Sequence, residues 1–178
     1  MRKRTKKLVL SALFLALALV LPFLTGQIKQ IGRMLCPMHY PVLLCGLLCG
    51  SPWGIVVGMI APLMRSLIFG MPLLFPDAVA MAFELAAYGA ISGIMYRRLP
   101  KKPWALYLSL ITAMVGGRLV WGAVRFAMLG LFNTEFSLSL FLGGAVLSSW
   151  PGIVMQIVII PIIVLLLKRY KAIDDLNE

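Results

Sequence analysis

The sequence predicts an all-α integral membrane protein, a bundle of six transmembrane helices with both termini in the cytoplasm. Hydrophobic residues make up 61% of its 178 residues and charged residues 13%, with a mean hydropathy of +0.97. Soluble domains average about 45–50% apolar and about 25% charged residues, so a soluble fold is excluded. The apolar runs are continuous and do not alternate with period two, which favours helices over a membrane β-barrel. The uneven distribution of basic residues then sets the orientation.

Six apolar segments account for the predicted spans, within a single membrane domain covering residues 1–178. We expect them at residues 8–24, 37–50, 53–69, 77–96, 104–130 and 138–167. The first follows a basic segment but is not followed by a convincing signal-peptide cleavage site, so we expect it to be retained. The second has a continuous apolar core of only ten residues, PVLLCGLLCG. It either starts earlier or is a short helix entered from an ordered loop, covered by protein.

Lys and Arg concentrate in cytoplasmic loops of membrane proteins, and this rule sets the predicted topology. With both ends inside, twelve basic residues lie in cytoplasmic segments and two in outer loops. The two outer residues are Lys29 and Arg33, and the twelve inner ones are Arg2, Lys3, Arg4, Lys6, Lys7, Arg97, Arg98, Lys101, Lys102, Lys168, Arg169 and Lys171. The net charge of +11 therefore reflects topology and does not indicate a nucleic acid partner.

Polar residues inside the spans mark the candidate site. An ionisable side chain in a membrane helix costs about 2.5–3.5 kcal/mol and usually faces a cavity or a partner. At helical spacing, the fourth, fifth and sixth spans each carry one polar stripe. The members are Asp77, Met81, Glu84 and Tyr88 in the fourth, Arg118, Trp121 and Arg125 in the fifth, and Ser149 and Gln156 in the sixth. We take these stripes to face a common substrate site.

The charges in these spans allow both structural and ligand-binding interpretations. Glu84 could form a buried ion pair with Arg65 or Arg118, Asp77 could stabilise a helix N-terminus, and Arg65 could reach the headgroups. Even if both acidic residues each neutralise one arginine, one arginine is left over. Because a guanidinium suits a carboxylate or phosphate, we expect an anionic ligand and include Arg65 among the candidate binding residues.

His39 lies in the segment CPMHYP, between Pro37 and Pro41, before the second span. It could bond a neighbouring carbonyl or form part of a lid over a ligand pocket, with GMPLLFPD on the opposite side. It is the only histidine, and the three cysteines show no paired spacing. We therefore predict no disulfide, no metal site and no cofactor.

Small residues four apart mark helix faces that can pack closely in lipid. The first span carries such a pair, Ala12 and Ala16. The pair could serve packing inside the bundle, but a terminal helix is easily left on the outside. We expect a partner protein to use it.

The chain resembles the substrate-binding S components of energy-coupling factor (ECF) transporters, the vitamin importers of bacteria and archaea. The resemblance rests on six spans in under 200 residues, on the alanine pair of the first span, and on the strings PMHYPVLLCGLLCGSPWG and MRSLIFGMPLLFPDAVAMAFELAAYG. It implies a protein of the prokaryotic cytoplasmic membrane that captures a vitamin or precursor at the outer face. It also implies a membrane T subunit and two cytoplasmic ATPases as partners. Pantothenate, an anion, is the preferred substrate, with thiamine or pyridoxine precursors as alternatives.

Other functions fit less well. The chain shows no GxSG, no HExxH and no aspartate cluster, so a membrane enzyme is disfavoured. GxxxxGK[ST] is also absent, so ATP-driven transport requires another chain. A structural or channel-like membrane subunit is the main alternative.

Overall fold

The computed structural model describes residues 3–25, 28, 32, 34–100, 102–131 and 149–170. These parts of the chain are helical, with short connecting turns. The helices are α1 (Lys3–Val20), α2 (His39–Cys49), α3 (Ser51–Phe69), α4 (Val79–Arg98), α5 (Pro103–Leu131) and α6 (Trp150–Arg169). A 3₁₀ turn, Leu21–Thr25, extends α1, and a tight turn, Leu74–Ala78, precedes α4.

Within the described residues, five helical segments are long and apolar enough to cross a membrane. They include α1 with its 3₁₀ extension, α3, α4 with its preceding turn, α5 and α6. Five of the six predicted segments therefore have a long helix at the expected place, with ends shifted by a few residues. The sixth predicted span begins earlier than α6, and its first part, residues 138–148, lies outside the described residues.

The second predicted segment, 37–50, is the short helix α2, which has 11 residues. All of its residues except Tyr40 are buried. The sequence allows either a longer span that starts earlier or a short helix covered by protein, and the structure has the short helix. It ends at Gly50, whose φ of 100° permits a sharp turn into α3. Arg97 closes this corner by donating from Nη2 to the carbonyl oxygen of Cys49 at 3.2 Å.

Helix α4 lies at the centre of the bundle and packs against α2, α3 and α5. Glycines allow a very close approach to its neighbours: a Cβ added to Gly89 of α4 would lie 2.3 Å from the carbonyl carbon of Gly54 in α3. A Cβ on Gly46 of α2 would lie 2.6 Å from the carbonyl oxygen of Gly89. Such contacts suit helix association in lipid, where packing replaces the hydrophobic effect. They also hold α4, with its acidic side chain Glu84, in the interior.

Helix α1 packs against α2 and α3 and is the most peripheral of the N-terminal helices. Its inward face carries Ser11, Phe14 and Ala18, which are buried. Ala12 and Ala16 face away from the bundle and are exposed. The alanine pair is therefore not used for packing among the described helices.

Candidate functional site

An ion pair between α4 and α5 forms the centre of the site. Glu84 Oε1 lies 2.9 Å from Arg118 Nη1, and the two side chains are 2% and 15% exposed. Glu84 lies on the stripe of α4 that the sequence predicts to be polar, and Arg118 lies on the corresponding stripe of α5. Of the two ion pairs that the sequence allows for Glu84, the structure has the one with Arg118.

His39, the first residue of α2, approaches the same carboxylate from the other side. Its Nε2 lies 3.5 Å from Glu84 Oε1, which is longer than a normal N–H···O hydrogen bond. Its ring also meets that of Tyr88 edge to face, with centroids 5.1 Å apart. Gly117 of α5 provides the space for Tyr88, since a Cβ at this position would lie 2.0 Å from the tyrosine ring. Helices α2, α4 and α5 thus converge on one buried polar cluster.

The start of α6 completes this cluster. Arg118 donates from Nη2 to Ser149 Oγ at 2.9 Å, and the same nitrogen lies 3.7 Å from Cys36 Sγ. Burial raises the pKa of the Cys36 thiol, so this group is neutral near pH 7. A Cβ on Gly152 would lie 2.5 Å from the carbonyl oxygen of Met34, so α6 packs tightly against the segment before α2. This packing keeps Ser149 and Cys36 beside the guanidinium.

A second ion pair joins Arg125 of α5 to Asp77 in the turn before α4. The two side chains are 21% and 30% exposed, so this pair is more accessible than the first. The guanidinium carbon of Arg125 also lies 5.4 Å from the centre of the Trp121 ring, in a cation–π contact. Asp77 thus neutralises an arginine, which is one of the two roles that the sequence allows for it.

Several buried polar atoms of this region have no hydrogen-bond partner among the described residues. They are Nδ1 and Nε2 of His39, Nε of Arg118, Nε of Arg125 and Glu84 Oε1, whose contacts are the ion pair with Arg118 and the longer approach of His39. Buried polar groups in proteins are nearly always paired with protein, water or ligand. Among the described residues, the cluster therefore has buried donors and acceptors without hydrogen-bond partners.

Arg65 lies apart from the cluster. Its Nη1 donates to the carbonyl oxygen of Leu19 at 2.6 Å, and its guanidinium carbon lies 5.1 Å and 5.3 Å from the ring centres of Phe23 and Phe69. Pro22 has no N–H to donate to the preceding turn, so the Leu19 carbonyl is available to the arginine. These contacts join the end of α1 to α3. Arg65 is therefore not the partner of Glu84, and its described contacts are structural.

The other predicted site residues lie on the expected helices. Gln156 is buried on α6, about two turns after Ser149. The residues that sequence reasoning missed are Cys36, Gly117 and Gly152. The two glycines gave no signal in the sequence, since their role depends on which helix faces them.

A family model described as the substrate-specific component of ECF transporters matches residues 6–166. The chain belongs to this family. No curated protein and no solved structure matches it significantly. Family membership makes this S component a substrate-binding transport subunit and not an enzyme. It also implies a small-molecule substrate and assembly with T and ATPase subunits.

Proposed function

We propose that this S component binds a small vitamin or vitamin precursor in the cluster around Glu84 and Arg118. The observation that carries the proposal is a buried polar cluster, shared by α2, α4, α5 and α6, whose His39 and arginine Nε atoms lack partners among the described residues. Each unsatisfied buried polar group costs about 1–3 kcal/mol. Unsatisfied atoms beside the Glu84–Arg118 pair are therefore not expected if the pair serves helix packing alone. The proposed binding residues are Glu84, Arg118, His39, Tyr88, Ser149, Trp121, Arg125 and Gln156.

We assign six membrane segments, with α2 as the second, and place both termini in the cytoplasm of a prokaryotic cell. The assignment is supported by the twelve basic residues of the predicted inner segments against two in the outer loops. Under this orientation the Asp77–Arg125 pair lies toward the outer face, above the Glu84–Arg118 pair. The site then opens to the side from which an importer receives its substrate.

The proposed partners are a membrane T subunit and two ATPases, with the T subunit docking on α1. Ala12 and Ala16 are exposed on this helix, whereas Ser11, Phe14 and Ala18 of the opposite face are buried. Two small exposed residues one turn apart allow another helix to approach closely. Energy for uptake then comes from ATP hydrolysis in the partner chains.

Pantothenate is the specific substrate that the sequence favours, and the reason is one arginine without an acidic partner. In the described structure that arginine is Arg65, which contacts Leu19, Phe23 and Phe69 instead of the cluster. The cluster therefore has no arginine without an acidic partner among the described residues, and this argument for an anionic substrate does not apply to it. Pantothenate is one candidate among several to be tested.

The experiment is mass spectrometry of small molecules that co-purify with the chain in mild detergent. A double variant, Glu84→Gln with Arg118→Gln, removes both central charges together, and Arg98→Gln removes an exposed charge at the other end of α4 as the control. A molecule retained by the wild type and the control but lost from a folded double variant supports the proposal. Equal retention by all three contradicts it. A structural or channel-like subunit, the competing function, would retain no specific molecule.

A further inference from the structure

We infer that the site selects a ligand without net charge, either a neutral polar molecule or a zwitterion, and discriminates against simple carboxylates and phosphates. This inference rests on the proposed function, because it specifies the substrate class of the same site. It reverses the preference for an anion that the sequence suggests. The reason is the way in which the charges are paired in the structure.

Each arginine of the site already has a carboxylate. Arg118 contacts Glu84 at 2.9 Å, and Arg125 contacts Asp77. The leftover positive charge, Arg65, is held at the end of α1 by a backbone carbonyl and two aromatic rings. Among the described residues, the four charged side chains of the site therefore balance without a ligand.

The groups that lack partners require hydrogen bonds, not charge. A neutral imidazole has one N–H and one lone pair. Placing the single proton of this neutral ring on Nε2, which faces the Glu84 carboxylate at 3.5 Å, leaves Nδ1 as an acceptor. The Nε–H groups of Arg118 and Arg125 need acceptors. A ligand that satisfies all three must offer both a donor and an acceptor, as hydroxyls, amides and nitrogen heterocycles do.

An anion would meet an unfavourable environment at the same place. A carboxylate bound to the Nε side of Arg118 would share that guanidinium with Glu84, whose side chain is 2% exposed. Two negative charges around one guanidinium, in a region with little water to screen them, repel each other. The buried site would also hold one negative charge without compensation. A neutral ligand or a zwitterion avoids both effects.

The first arm of the test measures the affinity of the full chain, in lipid nanodiscs, for two matched pairs of probes. Pantothenate is compared with panthenol, in which an alcohol replaces the carboxylate, and nicotinate is compared with nicotinamide. We expect the neutral member of a binding pair to bind at least about tenfold more tightly, which corresponds to about 1.4 kcal/mol. The net charge at pH 7 of any molecule that co-purifies with the wild type is determined in parallel, and we expect it to be zero.

The second arm uses Asp77→Asn, which leaves the charge of Arg125 without its carboxylate. We expect this variant to gain about tenfold in affinity for the anionic member of the pair relative to the neutral member. Asp174→Asn, which removes an acidic residue from the C-terminal segment, is the matched control and should change neither affinity.

The outcomes separate the inference from the proposed function. If the wild type binds the anionic member more tightly, or co-purifies with a carboxylate or phosphate that the Glu84→Gln, Arg118→Gln double variant loses, the inference is wrong while the proposed function stands. If no probe binds and no molecule co-purifies, the proposed function fails and the inference fails with it. A folded Asp77→Asn variant that binds an anionic probe no more tightly than the wild type does would show that charge balance does not set the selectivity. The inference would then be wrong.

Discussion

Replacing Glu84 alone with Gln should destabilise the bundle more than replacing Glu84 and Arg118 together. The carboxylate lies 2.9 Å from the guanidinium, which at an effective dielectric constant of about 20 corresponds to an attraction of roughly 6 kcal/mol. Desolvation offsets part of this attraction, and breaking one side of a buried pair typically costs about 3–5 kcal/mol. The single variant leaves the charge of Arg118 buried and unpaired. The double variant leaves no charge and should recover most of the loss.

The assay is the free energy of unfolding of each variant in mixed detergent micelles, measured by far-UV circular dichroism without added ligand. Arg98→Gln removes an exposed arginine of the same helix bundle and should change stability by less than about 0.5 kcal/mol. Equal destabilisation in the single and double variants would refute the reasoning, since the loss would then come from side-chain shape and hydrogen bonding instead of an uncompensated charge.

Three further predictions concern docking, topology and the shape of the site. Changing Ala12 and Ala16 together to Leu should abolish co-purification with the T subunit while ligand binding by the isolated chain persists, because bulk blocks the close approach of helices. In a variant without native cysteines, Leu73→Cys should react with an impermeant thiol reagent on intact cells and Lys102→Cys should not. Gly117→Ala should weaken ligand binding and lower the melting temperature, because its Cβ would lie 2.0 Å from an aromatic ring of α4.

Each of these predictions has a control and a contradicting result. Ala123→Leu, at an exposed alanine of α5, should leave assembly with the T subunit unchanged. Normal assembly of the double alanine variant would remove α1 as the docking helix. Labelling of Lys102→Cys but not of Leu73→Cys would show that the topology is the reverse of the predicted one. Gly117→Ser also places a Cβ against the Tyr88 ring and should behave as Gly117→Ala does. An unchanged affinity in both variants would mean that the position of this ring does not affect ligand binding.

Helical periodicity predicts much of this fold and some of the site. It places Glu84 and Tyr88 on one stripe and Arg118 and Arg125 on another, and the structure brings Glu84 and Arg118 into contact. Continuous apolar runs likewise predict where the long helices lie. Both signals are local, because they depend only on spacing along one helix and on its burial in lipid.

The pairing between helices could not be predicted, because periodicity gives the face of a helix but not its neighbour. Three arginines and two acidic residues allow several pairings, and the sequence could not show that Arg65 would find a carbonyl beside Pro22. The same holds for Gly117, whose importance appears only when Tyr88 of another helix lies against it. The preference for an anionic substrate rests on this pairing, and the pairing in the structure is what supports the uncharged or zwitterionic ligand inferred above.

The most direct test of the central claim, that the polar cluster binds the transported molecule, is the effect of His39→Asn on the affinity for the co-purifying ligand. His39 is buried, and neither ring nitrogen has a hydrogen-bond partner among the described residues. If the ligand fills these positions, replacing His39 should weaken binding by at least about tenfold, measured by calorimetry in nanodiscs on a variant whose fold is checked by circular dichroism. An unchanged affinity in a folded His39→Asn variant would contradict the claim and place the ligand elsewhere in the bundle.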